Sequence, residues 1–108
     1  MLAEDVVVDF PYAPALGWPG RVTDRQAMYD YIANALKNMP DLTFSNLRKY
    51  PTSDPDLIWF EMHGSANVPS TGKAYEQDYV CKLRVKDGLI VPYTEYRNPT
   101  AIRAYEND

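Results

Sequence analysis

Glu95 has the setting that points most directly to chemistry. It stands between Tyr93 and Arg97 in the stretch LIVPYTEYRNP, so in a strand the three side chains share one face. If that face is the dry one, desolvation disfavours the charged carboxylate, and the pKa rises towards values useful to a general acid. The same residues also allow Glu95 to pair with Arg97 or Arg84 at the sheet edge, and spacing alone leaves both readings open. Cys81 lies mid-strand among apolar neighbours, where a cysteine is usually inert filler with a raised pKa. His63 is the one histidine and shares its strand row with Trp59 and Glu61. A mixed row of that kind usually meets solvent or a partner subunit. Tyr31 falls in an apolar helical stripe, where its hydroxyl needs a partner if it is buried.

Composition removes several other chemistries. With one histidine, neither a two-histidine metal site nor a triad built on a second histidine is available. A triad on His63 itself lacks any nucleophile-elbow sequence. One cysteine excludes an internal disulfide and a multi-cysteine metal site. There is no glycine-rich phosphate loop, dinucleotide fingerprint, HExxH or CxxC, so neither a metal nor a cofactor is expected. A net charge of -4 argues against a nucleic-acid partner. No apolar run has the length of a membrane span and no signal-peptide pattern opens the chain, so no membrane partner and a cytoplasmic location are expected. At 108 residues, 45% hydrophobic and 24% charged, the chain reads as one globular domain over residues 1–108.

The elements that must position these residues follow from local pattern. Tyr75 to Pro99 reads as two long strands joined at Asp87-Gly88, a pair that tolerates the positive φ angles of a primed hairpin turn. Gln77, Tyr79, Cys81, Leu83 and Val85 alternate with Lys82, Arg84 and Lys86, which predicts one dry and one wet face. Asp5–Phe10 is a strand. The proline- and glycine-rich loop after it carries Tyr12 and Trp18 and is expected to form one rim of a pocket. Thr23 to Gln26 fits a capping box with Thr23 as N-cap. Met28, Tyr31, Ile32, Ala35, Leu36 and Met39 then recur at helical spacing until Pro40 stops the helix. Leu42–Tyr50 and Leu57–Val68 read as strands, the second with Ile58, Phe60 and Met62 on one row and Gly64 as a candidate bulge or bend. A short helix is expected over Thr100–Tyr105. Strand, helix and a four-strand meander make an α+β domain, a strongly curved antiparallel sheet wrapped on a helix.

Together the segments Asp5-VVVDFPYAP, Asp24-Arg25, Pro40-Asp41-Leu42, Asp56-LIWFEMHG, Gly72-KAYEQDYV and LRVKDGLIVPYTEYRNP resemble a SnoaL-like domain. This is the ketosteroid-isomerase-like branch of the nuclear-transport-factor-2-like superfamily. The likeness covers essentially the whole chain and is strongest to the phenazine-biosynthesis A/B proteins, which share an acidic residue and an aromatic ahead of Asn-Pro, here Glu95-Tyr96-Arg97-Asn98-Pro99. The resemblance implies a cystatin-like, cone-shaped barrel: a mostly antiparallel curved sheet around an apolar pocket, usually dimeric through its outer face. It implies that Phe10, Ile58, Phe60, Met62, Tyr79, Cys81, Tyr93 and Glu95 line the pocket, and that Trp59, Glu61 and His63 lie on the outer, dimer-forming side. The helix-rich N-terminus usual in the family has no counterpart here. The chain therefore reads as N-terminally truncated, with one side of the pocket open.

Departures from the family narrow the expected function. Phe10 stands where the isomerase has its aspartate base, and Cys81 stands at its second acid, so ketosteroid-type isomerisation is not what the likeness implies. The pocket glutamate of the phenazine-type proteins matches Glu95, while their helical histidine and serine fall at Tyr31 and Ala35. Two hypotheses remain. One is a cofactor-independent isomerase, cyclase or condensation enzyme on a hydrophobic cyclic metabolite, with Glu95 moving the proton and Tyr31 or Tyr79 orienting the substrate. The other is a dimeric binding module that holds such a metabolite without turnover.

Overall fold

Alternating apolar and polar residues build six strands into a single curved sheet. In the computed structural model, which describes residues 1–106, these are β1 (Leu2–Asp9), β2 (Arg21–Thr23), β3 (Thr43–Pro51), β4 (Leu57–Val68), β5 (Lys73–Lys86) and β6 (Leu89–Arg97). Their order across the sheet is β2-β1-β6-β5-β4-β3. One helix, α1 (Arg25–Asn38), and two 3-10 segments, Pro14–Leu16 and Pro99–Tyr105, complete the order. The expected α+β architecture is the observed one. Strands β3 to β6 meander antiparallel, β1 joins β6 in parallel, and the sheet stays open along its edges.

Asp87 and Gly88 turn the β5–β6 hairpin with φ of 53° and 78°, the left-handed pair that a primed turn requires. Two local expectations are corrected. The sequence beyond Gly20 forms the short strand β2, because Phe10 N–H donates to the Gly20 carbonyl and Asp24 N–H to the Val6 carbonyl, clamping the loop shut. Thr23 is thereby used as the last ladder residue, opposite Val7. The cap passes to Asp24, whose carboxylate accepts the Ala27 N–H at 2.7 Å. Gly64 makes no bulge: its ladder with Phe44 and Gln77 is continuous, and the register shift lies on β3 between Ser45 and Arg48. Its lack of a side chain serves packing instead, since a Cβ there would lie 2.8 Å from Cε2 of Tyr79.

Paired residues share a face, so the registers define the concave side. Ile58, Leu83 and Tyr93 form one row across β4, β5 and β6; Phe60, Cys81 and Glu95 the next; Met62, Tyr79 and Arg97 the third. Val8 pairs with Tyr93, which puts Val6, Val8 and Phe10 on the same side. Helix α1 packs on β1 and β2 through Met28 and Tyr31, while Ile32 and Leu36 from the expected stripe face outward. Val6, Val8, Phe10, Ala13 and Met28 make one buried cluster. Full burial of each large member contributes about 1.5–3 kcal/mol. Met39, Ala66, Val68, Tyr75 and Ala104 make a second cluster where the Pro99–Tyr105 segment folds back onto β5. Because α1 sits at the β1–β2 end, Ile58, Phe60 and Met62 remain half-buried. No described helix is long and apolar enough to cross a membrane.

Candidate functional site

A cleft of about 570 Å3 opens between α1, the loop after β1 and the end of β6. The helix contributes Tyr31, Asn34 and Asn38, whose spacing of three and four residues puts them on one face. The loop contributes Tyr12 and Trp18, and the sheet contributes Gln77 and Arg97. Pro14 starts the loop's 3-10 turn and Gly17 ends it at φ 80°, a conformation that favours glycine. This turn fixes Trp18 on the rim.

Arg97 is held by three aromatic residues. Its guanidinium carbon lies 4.7 Å from the ring centroid of Phe10 and 6.0 Å from that of Trp18, within the range of cation–π attraction. Its Nη2 donates to the Tyr31 hydroxyl at 2.9 Å, and Tyr31 stacks on Phe10 with centroids 5.0 Å apart. The hydroxyl of half-buried Tyr31 thus has its partner. Beyond Arg97 the β6 ladder is continued by a side chain. Gln77, 3% exposed, accepts the Asn98 N–H at 2.7 Å and donates to the Asn98 carbonyl at 3.1 Å. Pro99 cannot donate, so the strand stops there, and the Asn98 side chain caps the next turn through Thr100.

Glu95 lies one row further along the same face. Its side chain is 12% exposed and that of Arg97 18%, with Oε2 to Nη1 at 3.7 Å. Arg84 pairs with Asp54 instead. Tyr93 lies close enough to Glu95 Oε1 (3.3 Å) and Cys81 Sγ (3.4 Å) for its hydroxyl to donate to either. Burial raises the Glu95 pKa above the ordinary carboxylate value, outweighing the pull of Arg97 and the Tyr93 hydrogen bond in the other direction. Burial also pushes the Cys81 thiol up to about 12, as expected for a cysteine among apolar strands. The Tyr79 and Tyr93 phenols are raised mainly by burial too. Burial opposes the charge of Arg97, but Tyr31 and Glu95 more than offset it and the guanidinium stays fully charged.

Among the residues expected in the site, the fold brings Tyr12, Trp18 and Tyr31 to the cleft itself. Phe10 lies beneath it, against Tyr31 and Arg97. Glu95, Cys81 and Tyr93 form a cluster adjoining Arg97. Tyr79 reaches the cleft only through the Tyr75 hydroxyl, at 3.0 Å. Ile58, Phe60 and Met62 share the concave face but lie on β4, away from the cleft. Sequence reasoning treated Arg97 only as a partner of Glu95, and missed Gln77, Asn34 and Asn38. The signal for Gln77 was a carboxamide inside an otherwise apolar β5 row; for Arg97 it was the parity shared with Glu95. Among the described residues, no group of three or more His, Cys, Asp or Glu side chains is arranged to hold a metal.

The outer face carries Trp59, Glu61 and His63. Trp59 stacks near Tyr96 at 6.4 Å with Lys82 over its ring, and Glu61 pairs with Arg48. His63 lies between Asp78 and Glu76, at 2.9 Å and 2.6 Å.

Comparison with known proteins gives this arrangement its family. The SnoaL-like domain profile matches residues 1–93. The chain is 34% identical over 100 residues to the uncharacterized protein YesE of Bacillus subtilis, covering 93% of this chain and 67% of that one. It is 34% identical over 93 residues to an uncharacterized PhzA/B-like protein of Pseudomonas aeruginosa, covering 86% and 64% of the two. A solved Bacillus subtilis structure described as a candidate isomerase superposes with a TM-score of 0.85 at 34% identity, over 94% of this chain and 73% of that one. The chain thus spans about two thirds of the length of the curated relatives it matches. The profile match, these relatives and the open cone with its single packed helix agree, and the chain belongs to the SnoaL-like domain family.

Proposed function

We propose that this domain is a cofactor-independent acid–base enzyme acting on a hydrophobic cyclic metabolite, with Glu95 as proton donor or shuttle. The observation that carries the reading is the placement of Glu95: 12% exposed, raised in pKa by burial, and beside the one charged side chain that lines the cleft among the described residues. A neutral carboxyl group can protonate a carbonyl oxygen or the nucleophilic carbon of an enolate, and the Arg97 guanidinium stabilises negative charge carried by the enolate oxygen. Isomerisation, cyclisation and condensation next to a carbonyl all need that pair of services. The bound ring sits in the cleft beside Arg97, on the side that adjoins Glu95, with Tyr31 orienting it and Tyr79 acting through the Tyr75 hydroxyl. The likeness to a candidate isomerase and to a PhzA/B-like protein supports this class of chemistry. Glu95→Gln keeps the shape and removes the proton. It is expected to lower turnover roughly a hundred- to ten-thousandfold while leaving binding of a neutral ligand nearly unchanged; an undiminished rate would remove Glu95 from the mechanism.

A non-catalytic binding module is the second reading, favoured by one observation: the α1 side chains that line the cleft are Tyr31, Asn34, Ala35 and Asn38, none of them a base. In both readings we place a homodimer on the outer face around Trp59, Glu61 and His63. Native mass spectrometry of the wild type and Trp59→Arg tests it. A dimer lost in the variant supports that face, and a wild-type monomer rejects it.

A further inference from the structure

Arg97 is the only charged side chain lining the cleft among the described residues. Its guanidinium is largely out of water, and its one side-chain hydrogen bond among the described residues goes to Tyr31. Glu95 Oε2, at 3.7 Å, contributes charge but lies outside the 2.7–3.2 Å range of an N–H···O bond. Arginine carries five N–H donors in a planar fork that matches two oxygens at once. Phe10 and Trp18 hold that fork in place, leaving donors unspent beside an open cavity. The other titratable groups around it are Tyr31 on α1, Tyr75 and Tyr79 on β5, and Tyr105 on the final 3-10 segment. None of these supplies a carboxylate. Burial meanwhile disfavours the charged form of Glu95, the one counter-ion within reach. A neutral ligand would leave a poorly compensated cation in a site it has just dried.

Resting on the small-molecule reading above, we propose that the ligand of this cleft is a planar ring compound bearing an anionic oxygen, a ring carboxylate or ionised enol. It bonds the unspent N–H groups of Arg97 and replaces Glu95 as its counter-ion. Arg97 is then the specificity-determining residue. The aromatic rim of Tyr12 and Trp18 takes the ring, and Asn34 and Asn38 offer neutral hydrogen bonds to its polar substituents.

The test is calorimetric titration of the full chain with matched acid and amide pairs, benzoate with benzamide and naphthoate with naphthamide. The acid of a pair should bind roughly tenfold or more tightly than its amide, as a charge-assisted hydrogen bond implies. Arg97→Gln should erase the preference. Arg97→Lys, which keeps the charge but loses the fork, should reduce it without erasing it, and circular dichroism verifies that both variants fold. Glu95→Gln should keep the preference, because it removes only the competing carboxylate. Equal binding of acid and amide to the wild type, or a preference that survives Arg97→Gln, overturns the anion inference and leaves the pocket reading standing. Binding of no probe at millimolar concentration overturns both.

Discussion

The Glu95 carboxylate stands 3.7 Å from the Arg97 guanidinium, two residues along β6 and on the same concave face, with both side chains largely removed from water. The distance is too long for a strong hydrogen bond and short enough for strong Coulomb coupling in a dry site. Desolvation therefore prevails at Glu95, and the acid is held in its protonated form to higher pH than an ordinary glutamate.

That inequality sets a pH dependence. A carboxyl group raised in the folded state contributes stability fully below its ordinary value of 4.5, and the contribution is lost as pH rises through the folded value. Glu95→Gln should therefore flatten the fall in Tm between 4.5 and the raised folded value and be at least as stable as the wild type at neutral pH. Thermal melts across pH measure this. A wild type and variant whose Tm curves run parallel would mean that Glu95 is not desolvated in solution.

His63 titrates in the same sense on the other face. Hydrogen bonds to Asp78 first and Glu76 second raise it above 6.5, so its contribution is present below that value and is lost as pH rises through the raised one. The cluster is open to solvent, and the effect on stability should be small and screened by salt. Because this is the only histidine, its NMR titration is unambiguous. Replacing Asp78 by Asn should lower the midpoint.

Gly64 is predicted to be intolerant of a methyl group. A Cβ at 2.8 Å from Cε2 and 3.2 Å from the hydroxyl of Tyr79 must displace a buried ring that also bonds Tyr75. Gly64→Ala should cost about 1–3 kcal/mol. Denaturant unfolding would show it as a lower midpoint at unchanged slope.

Cys81 should be silent to thiol reagents in the folded protein. With the thiol pushed up to about 12 and its side chain fully buried, almost no thiolate is present at neutral pH. Labelling by a disulfide reagent should track unfolding, and fast labelling under native conditions would show that the concave face opens.

Much of this architecture is written in local chemistry. The Asp87-Gly88 pair specifies its turn because both residues accept positive φ, and alternation from Gln77 to Val85 separates dry from wet because side chains reverse at every strand residue. The shared parity of Tyr93, Glu95 and Arg97 likewise follows from strand geometry alone. Other features depended on long-range pairing. Thr23 has the right chemistry for an N-cap, yet the ladder with Val7 claimed it and moved the cap to Asp24. Sequence left Glu95 free to pair with Arg97 or Arg84; Asp54, thirty residues from Arg84, captured that partner and decided the matter. The meeting of Arg97 with Tyr31, sixty-six residues away, and with Phe10 and Trp18 likewise required the sheet to bring β6, α1 and the first loop together. Periodicity reports which face a residue takes. Only packing reports what stands opposite it, and here that is the difference between a charged residue in a strand and a cation at the wall of a cleft.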